Sequence, residues 1–437
     1  MSILTFKGGI HPYEGKELSK AKAIEKLLPE GDVVIPLSQH IGAPAKACIA
    51  VGDRVLVGQK IGEATGFISA NVHSSVSGTV KKIEPRLIAS GNMVESVIIE
   101  NDGQYEELKW ELKEYEDMTK EEKLEAIKEA GIVGMGGAGF PTNVKLSPKN
   151  PEAIDYVIVN GAECEPYLTS DYRRMIEEPE VLIEGLKMVL SLFDNAKGII
   201  AVEDNKLDVV IELKKLVKKE DNIDIKAVYT KYPQGGERTL IKAVTGREVN
   251  SSMLPADVGC VVNNVDTIFA IQNALRNHKP LTSRVVTVSG NAIVEPANYL
   301  VPVGTNMQQV IDAAGGFKRE PEKIISGGPM MGMAVSSTDY PVTKGTSAVL
   351  AFKKDAVAAC EPSACINCGK CVSVCPGRVV PSRLADYAEH GDVEAFVENY
   401  GMECCECGCC SYICPAKRNL TQAIKSMRKD VLASRKK

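Results

Sequence analysis

The alternation of apolar and polar residues changes along the chain and predicts several domains. Between residues 6 and 101, short apolar runs alternate with glycine turns, as in VGDRVLVGQKIG and VHSSVSGTVKKI, which indicates a compact β domain. A stretch rich in Glu and Lys at 105–123 then indicates a linker. From residue 131 to about 276, runs such as DYVIVN and KGIIAVE alternate with helical stretches such as EVLIEGLKMVLSLF. That alternation is typical of an open α/β sheet.

The last third of the chain changes its pattern twice more. Residues 284–317 contain VVTVSG, NYLVPVG and the helical MQQVIDAAGG, which predict a small β-grasp-like module continued by IISGGPMMGMAV. After residue 353 the chain becomes rich in cysteine, and SRLADYAEHGDVEAFVENYG has helical periodicity. We therefore predict a multidomain α+β protein, with a β domain at 1–104, an α/β domain at 115–276, a β-grasp-like module at 280–352 and a helical domain at 356–437.

Composition narrows the protein class. The 437 residues are 44% hydrophobic and 25% charged, as in folded protein. The start MSILTFKGG has no apolar signal core, and no stretch approaches the roughly 18 apolar residues of a spanning helix. We therefore expect a cytoplasmic protein, and fourteen cysteines fit a reducing compartment. A net charge of -5 gives no reason to expect a nucleic acid partner.

Eight of the cysteines form two runs with the spacing of a bacterial ferredoxin cluster loop. The runs are CINCGKCVSVCP at 365–376 and CCECGCCSYICP at 404–415. In such loops three closely spaced thiolates hold one 4Fe-4S cluster, and the fourth cysteine, before a proline, turns to the other cluster. The spacing predicts one 4Fe-4S cluster on Cys365, Cys368, Cys371 and Cys414, and a second on Cys404, Cys407, Cys410 and Cys375.

Zinc is the alternative metal, because paired C-x-x-C elements also build tetrahedral zinc sites. A zinc ribbon needs only four ligands and would leave half of these cysteines without a role, so we favour the clusters. Cys405 and Cys409 fall outside the repeat, and we expect them to pack beside the sulfurs.

A glycine-rich loop at 131–142 contains the G-x-G-x-x-G spacing of a dinucleotide fingerprint. The spacing alone is weak, because the stretch before it, LEAIKEAG, is helical, whereas the Rossmann version follows a strand. Such glycine density still lets backbone N–H groups approach a phosphate or a flat ring. A purely structural glycine turn is the alternative.

Four segments carry a family resemblance. GMGGAGFPTNVKL, VIVNGAECEP, YPQGGERTLIKAVTG and NNVDT resemble, in the same order, the flavin and NADH segments of the NADH-binding flavoprotein of complex I. The N-terminal runs resemble the half-barrels of biotinyl and lipoyl carriers, but residues 67–71 replace the carrier lysine. The whole chain except its basic tail resembles the RnfC family of Rnf-type electron transport complexes. One departure is Met135, where the complex I loop has Arg.

The resemblance implies a barrel-sandwich hybrid domain, a flavin- and NADH-binding α/β domain, an SLBB-like β-grasp module and a two-cluster ferredoxin domain. It also implies cofactor residues. Phe140 would stack on NAD(H) and Glu165 would bind its hydroxyls, and FMN would be held by Gly134, Gly136, Gly137, Gly139, Lys145, Asn160, Glu163, Tyr232, Gly235, Gly236, Glu237, Asn263 and Asn264. Structural roles are the alternative: Asn263 and Asn264 as a turn or helix cap, Phe140 as a core aromatic, and Glu163 with Glu165 as a solvated pair.

The implied activity is that of an NAD-linked oxidoreductase component of an ion-translocating complex. Flavin exchanges both single electrons and hydride, so it can join iron-sulfur clusters to NAD(H), and we expect no catalytic side chain. The implied partners are the membrane subunits, a second iron-sulfur subunit and ferredoxin as an indirect donor, with the chain peripheral on the cytoplasmic face. A diaphorase component of a soluble hydrogenase or formate dehydrogenase, or a non-enzymatic cluster carrier, remains the alternative.

The C-terminal segment NLTQAIKSMRKDVLASRKK has a positive net charge, whereas the chain as a whole is acidic. A solvated helix end is one explanation. Docking to a partner or an anionic membrane surface is the other, and it is our expectation for Lys425, Arg428, Lys429, Arg435, Lys436 and Lys437.

Overall fold

A computed structural model describes residues 3–111, 113–218 and 222–434. The strands are β1 (Ile24–Lys26), β2 (Val33–Pro36), β3 (Lys46–Ala47), β4 (Arg54–Val55), β5 (Lys60–Glu63), β6 (Val72–His73), β7 (Gly78–Leu87), β8 (Met93–Asn101), β9 (Tyr156–Gly161), β10 (Lys197–Glu203), β11 (Ile223–Val228), β12 (Cys260–Asn264), β13 (Ser283–Ser289), β14 (Ala297–Pro302), β15 (Lys323–Ser326), β16 (Met333–Val335) and β17 (Ala348–Phe352).

The helices are α1 (Lys120–Glu129), α2 (Thr142–Lys145), α3 (Ser170–Glu177), α4 (Pro179–Leu190), α5 (Leu207–Leu216), α6 (Glu237–Thr245), α7 (Val265–Asn277), α8 (Met307–Ala313), α9 (Lys370–Ser373), α10 (Pro381–Glu389), α11 (Val393–Glu398), α12 (Cys409–Ile413) and α13 (Leu420–Ser434). Single 3₁₀ turns lie at Lys16–Leu18, Tyr115–Asp117, Pro151–Ala153, Asp204–Lys206, Pro255–Val258 and Gly401–Glu403.

Two small sheets form the N-terminal β domain. One has the order β2-β8-β7-β4 and the other the order β3-β5-β6. The long hairpin of β7 and β8 turns at Gly91, whose φ of 80° lies in the left-handed region. Apolar side chains from both sheets, including Ile35, Ile61 and Val97, are fully buried in one core. The alternating apolar runs of the sequence therefore supply the core of this domain.

A parallel four-stranded sheet, ordered β11-β10-β9-β12, forms the centre of the α/β domain. The chain runs outward from β9 to β10 and β11, then returns to place β12 on the other side of β9. This reversal is a topological switch point, where open α/β sheets bind ligands at the carboxyl ends of their strands. Asn160 and Asn264 pair at that edge, so the fold itself marks the crevice between β9 and β12.

The third sheet has the order β1-β14-β13-β17-β15-β16, and α8 contributes Met307, Val310 and Ile311 to its core. Its edge strand β1 comes from residues 24–26, which the sequence assigned to the barrel domain. Residues 4–10 also leave the barrel and pair with the α/β domain at Val228 and Tyr232. This segment has too few apolar residues to form a core of its own, and sheet edges satisfy its backbone groups.

The C-terminal domain is helical, as its periodicity predicts. The apolar face of α13, with Ile424, Met427 and Val431, packs in the core of this domain rather than facing outward. Arg428 forms an ion pair with Glu406, and three residues of the expected basic tail, 435–437, lie outside the described residues. The helix thus has a structural role. Across the described ranges, no helix is both long and apolar enough to cross a membrane.

Candidate functional site

The glycine loop lies between α1 and α2 and closes on itself. The Gly134 N–H donates to the Phe140 carbonyl at 2.7 Å, and Phe140 is half-buried. Gly136 and Gly139 have φ of 80° and 70°, a left-handed conformation that glycine adopts without strain. Gly137 is exposed, and a Cβ built on it meets no atom within 4 Å. The loop therefore presents bare backbone beside open space.

Two other domains hold this loop in place. A Cβ on Gly136 would lie 3.1 Å from the Asn264 amide at the end of β12, and one on Gly139 would lie 3.1 Å from His40 Cα in the barrel domain. The buried side chain of Met135 contacts the Arg284 guanidinium, which comes from β13. The loop thus lies where three domains meet.

Asparagines at the strand ends form the floor of the crevice. Asn160 donates to the Gly235 carbonyl at 2.8 Å. Asn264 caps α7 by accepting from the Asp266 N–H at 2.9 Å, and it donates to Asp171 at 2.7 Å. Asn263 is buried, yet neither its amide nitrogen nor its amide oxygen has a hydrogen-bond partner. Because buried polar groups in proteins are almost always paired, Asn263 is suited to a ligand.

Lys145 lies at the same edge. Its Nζ donates to the Val262 carbonyl at 2.9 Å and lies 3.7 Å from Glu237 Oε1. Gly236 is the N-cap of α6 and Glu237 is the first residue of that helix. Helix N-termini offer unpaired N–H groups and a positive partial charge. The loop, the asparagines and the start of α6 therefore surround one crevice.

Glu163 lies in the loop after β9 and contacts the start of α3. Its Oε1 accepts from the Asp171 N–H at 2.7 Å, so the carboxylate stabilises the start of α3. Its Oε2 is buried without a hydrogen bond and lies 3.7 Å from Lys16 Nζ. The backbone of Glu163 has a φ of 49°. In the structure this side chain organises the loop after β9.

Glu165 contacts the β-grasp-like module, in the loop between β15 and β16. Its carboxylate accepts from the N–H groups of Met330 and Met331, at 3.0 and 2.8 Å. Burial raises the pKa of Glu165 to about 7, although these two N–H groups act in the opposite direction. Nearby, burial also raises the pKa of Asp171 to about 8. The edge of the crevice therefore holds carboxyl groups that titrate near neutral pH.

Tyr232 lies at the junction of the α/β domain and the cysteine-rich domain. Its side chain is buried, and its backbone pairs with Ile10. The Cys409 thiol lies 3.8 Å from the Tyr232 carbonyl oxygen. Ile10, Tyr232 and Cys409 form a small apolar core against which Cys164, Met330, Val374 and Cys407 pack.

The structure brings the eight repeat cysteines together in the two predicted groups. One cavity is lined by Cys365, Cys368, Cys371 and Cys414. The other is lined by Cys375, Cys404, Cys407 and Cys410. Cys405 borders the second cavity and is exposed, whereas Cys409 is fully buried. No set of three His, Cys, Asp or Glu side chains in the described ranges is arranged to hold a single metal ion.

The two cysteine runs share one backbone conformation. Asn367 and Glu406 occupy equivalent places and both have positive φ, at 53° and 57°. Gly369 and Gly408 follow, with φ of 71° and 81°, and each is the N-cap of a short helix. These matched bends turn three thiols of each run toward one cavity.

The two cavities differ in their surroundings. The second adjoins the α/β domain: the Gly9 N–H donates to the Val374 carbonyl at 2.9 Å, and Arg238 lies 3.3 Å from Glu403. The first opens outward, since Cys365 and Cys368 are exposed and Ile366 is 66% exposed. We call the second the inner cavity and the first the outer cavity.

Sequence reasoning missed two residues that organise the site. Lys16 is buried, and its Nζ donates to the carbonyls of Glu163, Glu165 and Leu168 at 2.8, 3.0 and 2.6 Å. Arg284 is buried and lies 2.6 Å from Asp266. A charged residue at the start of an apolar strand was the available signal for Arg284. No local pattern distinguishes Lys16.

Three stretches match family models. Residues 4–104 match the RnfC barrel sandwich hybrid domain, residues 127–273 the Nuo51 FMN-binding domain and residues 285–334 the SLBB domain. Among solved structures, an NAD+-reducing NiFe hydrogenase in the H2-reduced state has a TM-score of 0.51 at 19% identity, over 73% of this chain and 62% of that one. That likeness is one of fold, and the matches confirm the predicted fold class.

Relatives match over nearly the full chain. The C subunit of the Na+-translocating ferredoxin:NAD+ oxidoreductase complex of Acetobacterium woodii is 45% identical over 436 residues, 99% of this chain and 98% of that protein. Its counterpart in the proton-translocating ferredoxin:NAD+ oxidoreductase complex of Clostridium ljungdahlii is 42% identical, over 92% and 88%. The counterpart in the ion-translocating oxidoreductase complex of Rhodobacter capsulatus is 38% identical, over 90% and 77%. At this identity and coverage, the chain belongs to the RnfC family of ion-translocating oxidoreductase complexes.

Proposed function

We propose that this chain passes electrons between a low-potential iron-sulfur donor and NAD+, as one component of an ion-translocating ferredoxin:NAD+ oxidoreductase. The main support is the position of the inner cavity, whose Cys407 and Cys409 pack with Tyr232 and Cys164 beside the crevice of the α/β sheet. A cluster there would lie next to a cofactor in that crevice. The outer cavity would hold the cluster that meets a partner.

FMN fits the crevice between the glycine loop and the strand ends. The open space over Gly137 accepts a group that a side chain would block. The unpartnered amide of Asn263 and the N-terminus of α6 at Gly236 suit phosphate or ring oxygens, and Lys145 adds a positive charge beside them. Gly134, Gly136, Gly139, Asn160, Tyr232, Gly235, Glu237 and Asn264 complete the proposed FMN residues, while Glu163 would act by holding the loop after β9.

When bound, FMN supplies the exchange between single electrons and hydride that links iron-sulfur clusters to NAD(H). The residues of this chain position and shield it. Gly136 and Gly139 fix the backbone of the loop, and Arg284 and Thr267 hold Met135 beneath it. No side chain needs to act as nucleophile or base in that exchange.

The proposed NAD(H) residues are Phe140 and Glu165. Phe140 is half-buried at the end of the loop, where an aromatic face can stack on a ring. The Glu165 carboxylate accepts one N–H donor on each oxygen, which leaves acceptor positions that dinucleotide hydroxyls could use.

Two 4Fe-4S clusters fit the two groups of four unpaired thiols. The crossing of Cys375 and Cys414 between the runs is part of this proposal. We also propose the domain limits 1–104, 115–276, 280–352 and 356–437. We place the chain on the cytoplasmic face of the membrane, bound to the membrane subunits and to a second iron-sulfur subunit that receives electrons from ferredoxin.

Anaerobically prepared protein tests this proposal. Extraction should release FMN, analysis should find about eight iron atoms per chain, and NADH should bleach the cluster absorbance. FMN reduction by NADH without cluster bleaching would refute the proposed electron path. Stoichiometric zinc in place of iron would refute the cluster assignment.

A further inference from the structure

The rim of the outer cavity combines exposed apolar surface with positive charge. Ile366 and Pro415 line the cavity and are exposed. Lys370 lies between the lining residues Gly369 and Cys371. Two further exposed cations also flank lining residues, Arg383 beside Ser382, and Lys417 between Ala416 and Arg418.

These three cations carry no internal partner. Within the described ranges, the side chains of Lys370, Arg383 and Lys417 form no ion pair or hydrogen bond. Arg418, in contrast, lies 2.8 Å from both Asp386 and Glu389, so its single positive charge offsets one of those two negative charges. Glu361 is an exposed acid in the neighbouring segment. The rim therefore keeps a positive surplus in a chain whose net charge is -5.

The inner cavity is less accessible, because none of its four repeat cysteines is exposed. Its surroundings include the buried Cys409, the N-terminal segment at Gly9 and the ion pair of Arg238 with Glu403. A protein that exchanges electrons with the clusters can reach the outer thiols far more directly than the inner ones.

We propose that the rim around Ile366, with Lys370, Arg383 and Lys417, is the docking surface for an acidic iron-sulfur protein or domain. The inference rests on the proposed function and identifies where electrons enter the chain. Charge complementarity speeds the encounter and orients the partner, while the small apolar surface excludes water over the cluster edge. In each encounter the partner's cluster loses one electron and the outer cluster gains it, with no proton or group transferred. Two encounters supply the electron pair that NAD+ accepts with one proton from water.

Binding and electron transfer can be measured with the full cluster-loaded chain and a small acidic two-cluster ferredoxin, which serves as the probe for an acidic iron-sulfur partner. Calorimetry with the oxidised ferredoxin gives the dissociation constant, and NADH formation from the reduced ferredoxin gives the second-order rate. We expect the triple variant Lys370→Glu, Arg383→Glu and Lys417→Glu to weaken both at least about tenfold at low ionic strength. The difference between the variant and the wild type should shrink at high salt. At an ionic strength of about 1 M, exposed charges more than about 3 Å apart are largely screened.

A matched control separates local charge from net charge. Lys22, Lys26 and Lys46 are exposed in the N-terminal part of the chain, and their replacement by Glu changes the net charge by the same amount. This control variant should behave as wild type, and the neutral variant Lys370→Gln, Arg383→Gln and Lys417→Gln should fall between. Iron content and dithionite bleaching verify the clusters in each protein.

Three outcomes would overturn the proposal. One is an unchanged dissociation constant in the cluster-loaded rim variant, and another is an equal loss in the control variant. The third is salt-dependent binding to phosphatidylglycerol vesicles through the same rim with none to ferredoxin, because the surface would then face a membrane. Absence of clusters from the wild type would instead refute the proposed function.

Discussion

Gly137→Val should weaken FMN binding while leaving the fold and the clusters intact. A Cβ at this position meets no protein atom within 4 Å, and the backbone is not in the left-handed region. At Gly136 the same change would strain the chain itself, because φ is 80° and a Cβ would lie 3.1 Å from the Asn264 amide. The pair of variants therefore separates a clash with the cofactor from a clash with the protein.

The expected sizes follow from these two environments. A non-glycine residue in the left-handed conformation costs about 1–2 kcal/mol, so Gly136→Val should lower the free energy of unfolding by at least that amount. Gly137→Val should leave this free energy nearly unchanged. Forcing a side chain into a filled site costs about 1–3 kcal/mol, which corresponds to roughly a fivefold to 150-fold loss of FMN affinity.

Fluorescence titration of FMN into flavin-free protein measures the affinity, and thermal unfolding of the same samples measures stability. Gly137→Ala is the graded control and should lose less affinity than valine. If folded Gly137→Val binds FMN as tightly as wild type, the loop does not contact the cofactor. Iron content must equal that of the wild type in both variants.

Three further predictions address other parts of the site. Cys375→Ala should disturb the cluster of Cys404, Cys407 and Cys410 in EPR spectra, and loss confined to the other cluster would contradict the crossing. Glu165→Gln should raise the Michaelis constant for NADH with FMN retained, and an unaltered constant would count against its role. Burial raises the pKa of Glu165 from 4.5 to about 7, so the native state binds this proton more tightly than the unfolded state. The free energy of unfolding should therefore fall by up to about 3 kcal/mol as the pH rises from 4.5 to 7. Glu165→Gln cannot titrate, so its free energy of unfolding should change less between pH 5 and 8. Lys16→Met leaves three carbonyls without their cationic donor and should destabilise the protein by about 2–4 kcal/mol in urea unfolding; a change below about 0.5 kcal/mol would contradict that role.

The sequence predicted most clearly those parts of the fold that local pattern determines. The strands DYVIVN and KGIIAVE became β9 and β10, and the segment between the cysteine runs became α10 and α11. Each of these segments buries one or both of its faces within its own domain. The spacing of its apolar residues therefore predicts whether it forms a helix or a strand. Local spacing predicted the three close cysteines of each group, and the crossing typical of ferredoxin loops predicted the fourth.

Contacts between distant segments escaped sequence reasoning. Residues 4–10 carry the composition of a loop, yet they pair with Val228 and Tyr232 because those edges offer free backbone groups. Glu163 was assigned to the flavin, whereas its carboxylate accepts from the start of α3. Glu163 lies seven residues before α3, so no local capping pattern pointed to this contact. The charge of Arg284 at the start of an apolar strand was a signal, but its contact with Met135 depends on how two domains pack and could not be predicted from the sequence.

The N-terminal segment gives a physical reason why the domains work as one unit. Gly9 binds the backbone at Val374, next to Cys375 of the inner cavity, and Ile10 binds Tyr232 at the crevice. A few residues later, Lys16 holds the loop that carries Glu163 and Glu165. A side chain on Gly8 would come within 3.0 Å of the Val374 carbonyl, so the approach depends on glycine. One short segment thus fixes the inner thiols, the crevice and the acidic loop relative to one another. Under the proposed function, this contact would set the distance between the inner cluster and the flavin.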